Sequence, residues 1–267
     1  MPVITANGTD IHHEILGSGP PLLFTSGAGG DAGYWTATAT RLADRYTVVT
    51  YDRRGNSRSP APPGAGTSLA EQADDAAALL RVLDLAPATV VGNSLGAIIT
   101  AELVERHPMV VEHAVLHEPP LLSVVPDAAE VGAQLEALIG EGMAGGGPPV
   151  AMERFLRAVW HDDVFDDADP QLAARLLANG EVFFRAEMPL VAEYVPEPES
   201  LGDAGVPLIV AAGRDNRGMY LHTGTAWLAD RLGLPLRETS GAHVPYLDRP
   251  TVFAAELAGL LSEARVG

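Results

Sequence analysis

Ser94 and His243 are the two residues whose types and settings could carry out covalent chemistry. Ser94 stands in Gly-Asn-Ser-Leu-Gly (92–96), preceded by the β-branched run 88–91 and followed by an apolar-periodic stretch, 97–107, that Pro108 stops. A strand, a sharp turn and a helix in that order raise a serine hydroxyl above a sheet, and small residues two places to either side let helix and strand pack closely. Gly92 and Gly96 fill those places. Ser94 is therefore read as a nucleophile rather than a loop serine. Its hydroxyl needs a base, and of the eight histidines His243 has the best address, in Gly-Ala-His-Val-Pro between the last strand and the last helix. The two lie 149 residues apart, so they can meet only where loops after successive parallel strands converge at one edge of a sheet. Backbone donors for an oxyanion are expected from Leu95, directly after the nucleophile, and from Gly27 or Ala28 after the first long strand.

The elements that would position this pair follow from the pattern. Residues 1–24 read as an antiparallel entry with an Asn7-Gly8 hairpin and a buried strand in Pro-Pro-Leu-Leu-Phe. A strand over 46–52 and a Pro/Gly-rich loop over 59–68 come next. Over 68–85 a helix is expected, capped by Ser68 with Glu71 completing a capping box. After the elbow, 109–118 reads as a buried strand ended by two prolines. From 121 to 200 the texture is helical, broken by Gly-, Asp- and Pro-rich stretches. Strand texture returns at 206–213, then a helix at 225–233, a strand and loop at 235–248 and a closing helix at 251–264. Alternating strands and helices imply an α/β fold with a mostly parallel central sheet and helices on both faces. The core is assigned to 1–120 and 201–267, and 121–200 to an inserted helical cap. No internal repeat is evident.

Composition narrows the function classes. A formal charge of −18 argues against nucleic acid or an anionic membrane as partner. No apolar run approaches a membrane span, the first residues lack the basic-then-apolar order of a signal peptide, and cytoplasmic residence is the default. Without cysteine, thiol catalysis and disulfides are excluded. Gly27, Gly29 and Ala32 match a dinucleotide-binding fingerprint, with Asp52 about where a ribose-binding acid would stand. However, Gly33, Tyr34 and Trp35 continue as loop where that fingerprint needs a helix, so no nicotinamide is expected. His113, His117 and Glu118 lie on a predicted strand rather than the helix an HExxH zinc site requires, so no metal and no other cofactor is expected. A homodimer is compatible with the sequence.

Nearly the whole chain resembles the α/β-hydrolase superfamily. Gly-Asn-Ser-Leu-Gly is its elbow, Ser-Gly-Ala-Gly-Gly (26–30) replaces its His-Gly oxyanion loop, Asp-Arg-Arg-Gly-Asn-Ser-Arg-Ser (52–59) is similar to its DxRGxGxS turn, and 241–250 resembles its histidine loop. Ser26 stands where histidine is common and Asn56 where glycine is common. The resemblance implies an acid as third partner. In most of the superfamily it is an aspartate three residues after the glycine ending the strand that here reads Leu-Ile-Val-Ala-Ala-Gly, and that position is Asn216, with Asp215 one residue early. The other candidate is Glu118, in a His-Glu-Pro arrangement that, with the oxyanion and histidine loops, resembles the fungal zearalenone lactonases. Both stay open, Glu118 being favoured. The resemblance implies a cofactor-free serine hydrolase acting on a small hydrophobic ester or lactone of polyketide type. A general carboxylesterase or thioesterase with a Ser-His-Asp set is the alternative. Trp35, Trp160, Phe183, Phe184 and Met188 are expected to line the substrate pocket.

Overall fold

Every residue of the strand before Ser94 is buried, and its side chains alternate between two cores: Val91 joins one and Val90 the other. The strand therefore lies in the middle of a sheet covered on both faces. The computed structural model describes residues 2–61 and 66–264. Its strands are β1 (Val3–Ala6), β2 (Thr9–Leu16), β3 (Pro21–Thr25), β4 (Thr47–Tyr51), β5 (Ala88–Asn93), β6 (Val111–His117), β7 (Leu208–Gly213) and β8 (Leu236–Thr239). They form one sheet in the order β1-β2-β4-β3-β5-β6-β7-β8. The β1–β2 and β2–β4 pairs are antiparallel and the others parallel. Asn7 and Gly8 both have positive φ, as a tight hairpin turn between β1 and β2 requires.

Helices α1 (Thr36–Leu42) and α13 (Pro250–Ala264) contribute to the core on one face, and α2 (Leu69–Val82), α3 (Leu95–Arg106) and α11 (Tyr220–Arg231) to that on the other. Ser68 caps α2 by accepting from the Glu71 N–H at 3.1 Å. The return half of the expected capping box is replaced by an ion pair of Glu71 with Arg54. The Pro/Gly-rich loop expected at 59–68 includes residues 62–65, which lie outside the described residues.

Between β6 and β7 the chain is helical: α4 (Ala128–Gly146), α5 (Pro148–Trp160), α6 (Asp162–Asp166), α7 (Pro170–Ala178), α8 (Gly180–Val182), α9 (Met188–Ala192) and α10 (Pro198–Asp203). Between α8 and α9 the backbone opens into a π turn, Phe183–Glu187. Pro189 explains the opening: it has no N–H, and its ring crowds the carbonyl four residues earlier. The one-turn α12 (Pro245–Asp248) follows the histidine loop.

Strand order places the site. From β3 the chain passes to β4 on one side and later to β5 on the other, so loops leaving the carboxyl ends of β3 and β5 part and leave a crevice. The loop of residues 26–30 and the turn at Ser94 are those loops. Their closeness depends on glycine. A Cβ on Gly96 would lie 2.1 Å from the Thr25 carbonyl oxygen, and one on Gly92 2.2 Å from that of Gly96. Gly96→Ala is expected to destabilise the fold by about 3 kcal/mol through overpacking. Gly259→Ala, in α13 with nothing within 4 Å, should instead stabilise by about 0.5–1 kcal/mol. Urea unfolding of the two variants measures both signs.

Candidate active site

At the end of β5 the backbone of Ser94 takes φ 57° and ψ −128°, a conformation L-residues avoid and structures keep where position matters more than comfort. The Ser94 N–H donates to the His117 carbonyl at 3.0 Å, which ties the elbow to the neighbouring strand. Leu95 opens α3, so its N–H has no acceptor within the helix. Ser94, Leu95, Gly27 and Ala28 all line one cavity, and His243 lines it too.

Glu118 is fully buried at the end of β6 with φ 46°, doubly disfavoured because Pro119 follows it. That twist turns its carboxylate towards three donors. Oε1 accepts from the Gly213 N–H at 2.9 Å, and Oε2 accepts from Asn216 Nδ2 at 2.8 Å and from His243 Nδ1 at 2.7 Å. Burial works against its charge, but the His243 hydrogen bond and the charge on that ring outweigh it, and the carboxyl is held below the ordinary glutamate value. With Nδ1 donating, Nε2 is the ring nitrogen free to accept a proton. Asp215 is elsewhere: its carboxylate is half exposed and pairs with Arg249 at 3.2 Å. The structure brings Glu118, not Asp215, to the imidazole, and Asn216 supplies an amide where the resemblance expects an acid.

Sequence reading missed a second layer. Asn93 Nδ2 donates to the His243 carbonyl at 2.9 Å and to His117 Nδ1 at 3.0 Å, while the Tyr246 hydroxyl donates to Asn93 Oδ1 at 2.7 Å. One amide thus ties the elbow, β6 and the histidine loop together. The only sequence signal was that Asn93 sits inside the elbow itself. Because His117 Nδ1 accepts, its Nε2–H donates to Thr239 Oγ1 at 3.1 Å, so the ring is built in neutral. Burial, with the nearby His243 adding to it and Glu118 opposing it, pushes His117 down to about 4. A histidine lowered on folding binds its proton more readily unfolded, so stability falls as pH drops from about 6.5 towards 4, by up to about 3 kcal/mol. Burial lowers His13 as well, with the same sign. Urea midpoints across this window should fall steeply for the parent and less steeply, though not flat, for His117→Gln.

The cavity holds about 200 Å³ and is walled mainly by apolar side chains. Trp160, Phe183 and Met188 line it. Two expectations are corrected. Trp35 is fully buried in the core, stacked on Phe24 with ring centroids 4.4 Å apart and tilted 31° against Tyr246 at 3.9 Å, and its indole N–H donates to Ser26 Oγ. Phe184, one residue from Phe183, turns away and packs behind it against Phe155. Tyr34 lines the cavity too, and Tyr220, Tyr246 and Ile139 line it unforeseen. Burial and the Glu118 charge raise the Tyr220 phenol, which stays neutral.

The dinucleotide fingerprint is used structurally. Asp52 is fully buried and accepts from the Ala32 N–H at 2.7 Å and from Arg58, leaving no carboxylate for a ribose, and the residues after Gly29 form a loop and a 3-10 turn. In the 52–59 turn the glycine-favouring conformation is taken by Gly55, φ 80°, and Ser57, φ 49°, not by Asn56. His113 and His117 lie on a strand, about 13 Å apart along it, too far to share an ion.

A serine on a strained strand–turn–helix elbow, a carboxylate-held imidazole on the same cavity and backbone N–H groups beside them describe a hydrolase-type site on a doubly covered sheet. A family model described as the alpha/beta hydrolase fold matches residues 20–250. The chain belongs to that family and is a hydrolase. It is 30% identical, over 97% of its length and 94% of the relative's, to the uncharacterized hydrolase YraK of Bacillus subtilis (strain 168). Among solved structures it is similar to the enol-lactonase from Burkholderia xenovorans LB400, with a TM-score of 0.74, 20% identity and coverage of 98% and 100%. It is also similar to Est816, described as an N-acyl homoserine lactone degrading enzyme, with a TM-score of 0.75, 25% identity and coverage of 97% and 99%. No helix among the described residues is long and apolar enough to cross a membrane.

Proposed function

We propose that the protein hydrolyses uncharged, hydrophobic esters or lactones, with Ser94 as nucleophile, His243 as base and Glu118 as the orienting acid. The observation that carries this reading is the 2.7 Å bond from His243 Nδ1 to Glu118, on a ring that shares its cavity with Ser94. Ser94 Oγ attacks the carbonyl carbon while its proton passes to His243 Nε2, and the negative oxygen is received by the N–H groups of Leu95 and of Gly27 or Ala28. Collapse breaks the bond to the alkoxide, which takes the proton back from Nε2. In a lactone that alkoxide stays tethered to the acyl chain. Water, deprotonated by the same ring, then releases the acid and restores Ser94. No cofactor enters these steps.

The helical segment 121–200 acts as the cap. It supplies Phe155, Trp160, Phe183 and Met188 to the cavity. Among the described residues no arginine lines the cavity, and the chain contains no lysine, so no guanidinium or ammonium group of theirs would pair with a carboxylate on the substrate. The apolar wall, the zearalenone-lactonase resemblance and the names of two lactone-acting neighbours favour a hydrophobic polyketide-like lactone over a simple carboxylester. The test is a fluorophosphonate probe followed by a panel of macrocyclic lactones, short lactones, thioesters and p-nitrophenyl esters. Labelling at Ser94 with preference for the large lactones is expected. An unlabelled Ser94 would reject the hydrolytic mechanism, and a preference for simple esters would leave the carboxylesterase reading.

A further inference from the structure

Arg53 and Glu187 form an ion pair in which neither side chain reaches solvent, 1% and 0% exposed. The reading of the site given above makes no use of it. Arg53 stands at the end of β4, and Glu187 closes the π turn that begins with the cavity residue Phe183. All five guanidinium N–H groups are occupied. Nη1 donates to Glu187 Oε1 at 2.6 Å and to Gln72 Oε1, Nη2 to Glu187 Oε2 at 2.9 Å and to the Gly27 carbonyl at 2.8 Å, and Nε to the Ser26 carbonyl at 3.0 Å. Asn56 Nδ2 adds a bond to Glu187 Oε1 at 2.9 Å.

The two carbonyls are the informative partners. In a trans peptide the C=O and the following N–H point in opposite directions. Holding the Ser26 and Gly27 oxygens on Arg53 therefore aims the N–H groups of Gly27 and Ala28 away from it. Gly27 and Ala28 both line the cavity with Ser94, and among the described residues neither N–H has a backbone acceptor. A hydrogen bond to the carbonyl also polarises the N–H of the same peptide.

We infer that Arg53 is a positioning residue for the oxyanion-binding loop, and that Glu187 couples its orientation to the seating of the helical segment that carries Phe183. This rests on the hydrolase reading of Ser94. A lysine at 53 would keep the charge for Glu187, but one ammonium on a flexible stem cannot fork to both carbonyls and the carboxylate.

Arg53→Lys is the test, read by thermal unfolding, by kcat and KM separately on the best ester or lactone, and by the inhibition constant of a trifluoromethyl ketone, whose adduct with serine places an oxyanion in the same donors. The expected result is a folded variant whose kcat falls about 10- to 100-fold, with KM changed less than about threefold and ketone affinity lost in parallel with kcat. Parent-like kcat and ketone affinity in a folded variant would overturn the inference. So would a loss confined to KM. Should Arg53→Lys not fold, Arg53→Met/Glu187→Leu removes both charges together and is read the same way. A parent enzyme inert to fluorophosphonate fails the hydrolase reading, whereas a reactive parent beside an unimpaired variant fails only this one.

Discussion

Glu118→Gln is expected to lower kcat by about 10⁴-fold, while Asp215→Asn leaves it within about twofold. The amide is nearly the same size, so the Gly213 N–H keeps an acceptor, but the neutral group no longer stabilises the imidazolium that forms when His243 takes the serine proton. The amide can also turn its NH2 towards Nδ1, and the ring then answers with the wrong tautomer, its proton on Nε2. Asp215 spends its charge on Arg249 in half-exposed surroundings, where an ion pair contributes little. Steady-state kinetics on one good substrate decide it. Equally small effects of the two variants would show that the carboxylate bonded to His243 is not what the chemistry uses.

Ser94→Ala should be the more severe change, with kcat down by about 10⁶-fold and substrate affinity little altered. The alanine inherits a backbone at φ 57° that suits it no better than serine, so the turn is unchanged while the attacking oxygen is gone. Residual turnover would come from the oxyanion donors and the cavity acting on water. Single-turnover measurements, with substrate binding followed independently, separate the two effects. Ser94→Ala with most of its activity intact would mean that acyl transfer to this residue is not the route.

Much of this was legible in the residues because it is local. The elbow needs only a β-branched run, two glycines and a serine, and the hairpin only Asn7-Gly8. What escaped was set by direction rather than by type. Phe183 and Phe184 are the same residue in sequence terms, yet the π turn sends one into the cavity and the other behind it. Trp35 looked like a pocket aromatic, but the 3-10 turn after residues 26–30 points it into the core. Asn93 and His117 belong to a buried network drawn from β5, β6, β8 and the histidine loop, which no single window of sequence contains. That Glu118 rather than Asp215 bonds the His243 ring could not be read from spacing, because it depends on the left-handed backbone at Glu118.

The nearness of Asn216 Nδ2 to the Glu118 carboxylate, 2.8 Å, has an evolutionary reading. Two neighbouring strands end against the same imidazole, so its negative counterpart can be furnished from either, and the residue not furnishing it remains as a supporting amide. A lineage could thus hand the job from one strand to the next through a chain bearing both acids, one of them protonated, without ever losing the group that steadies the ring.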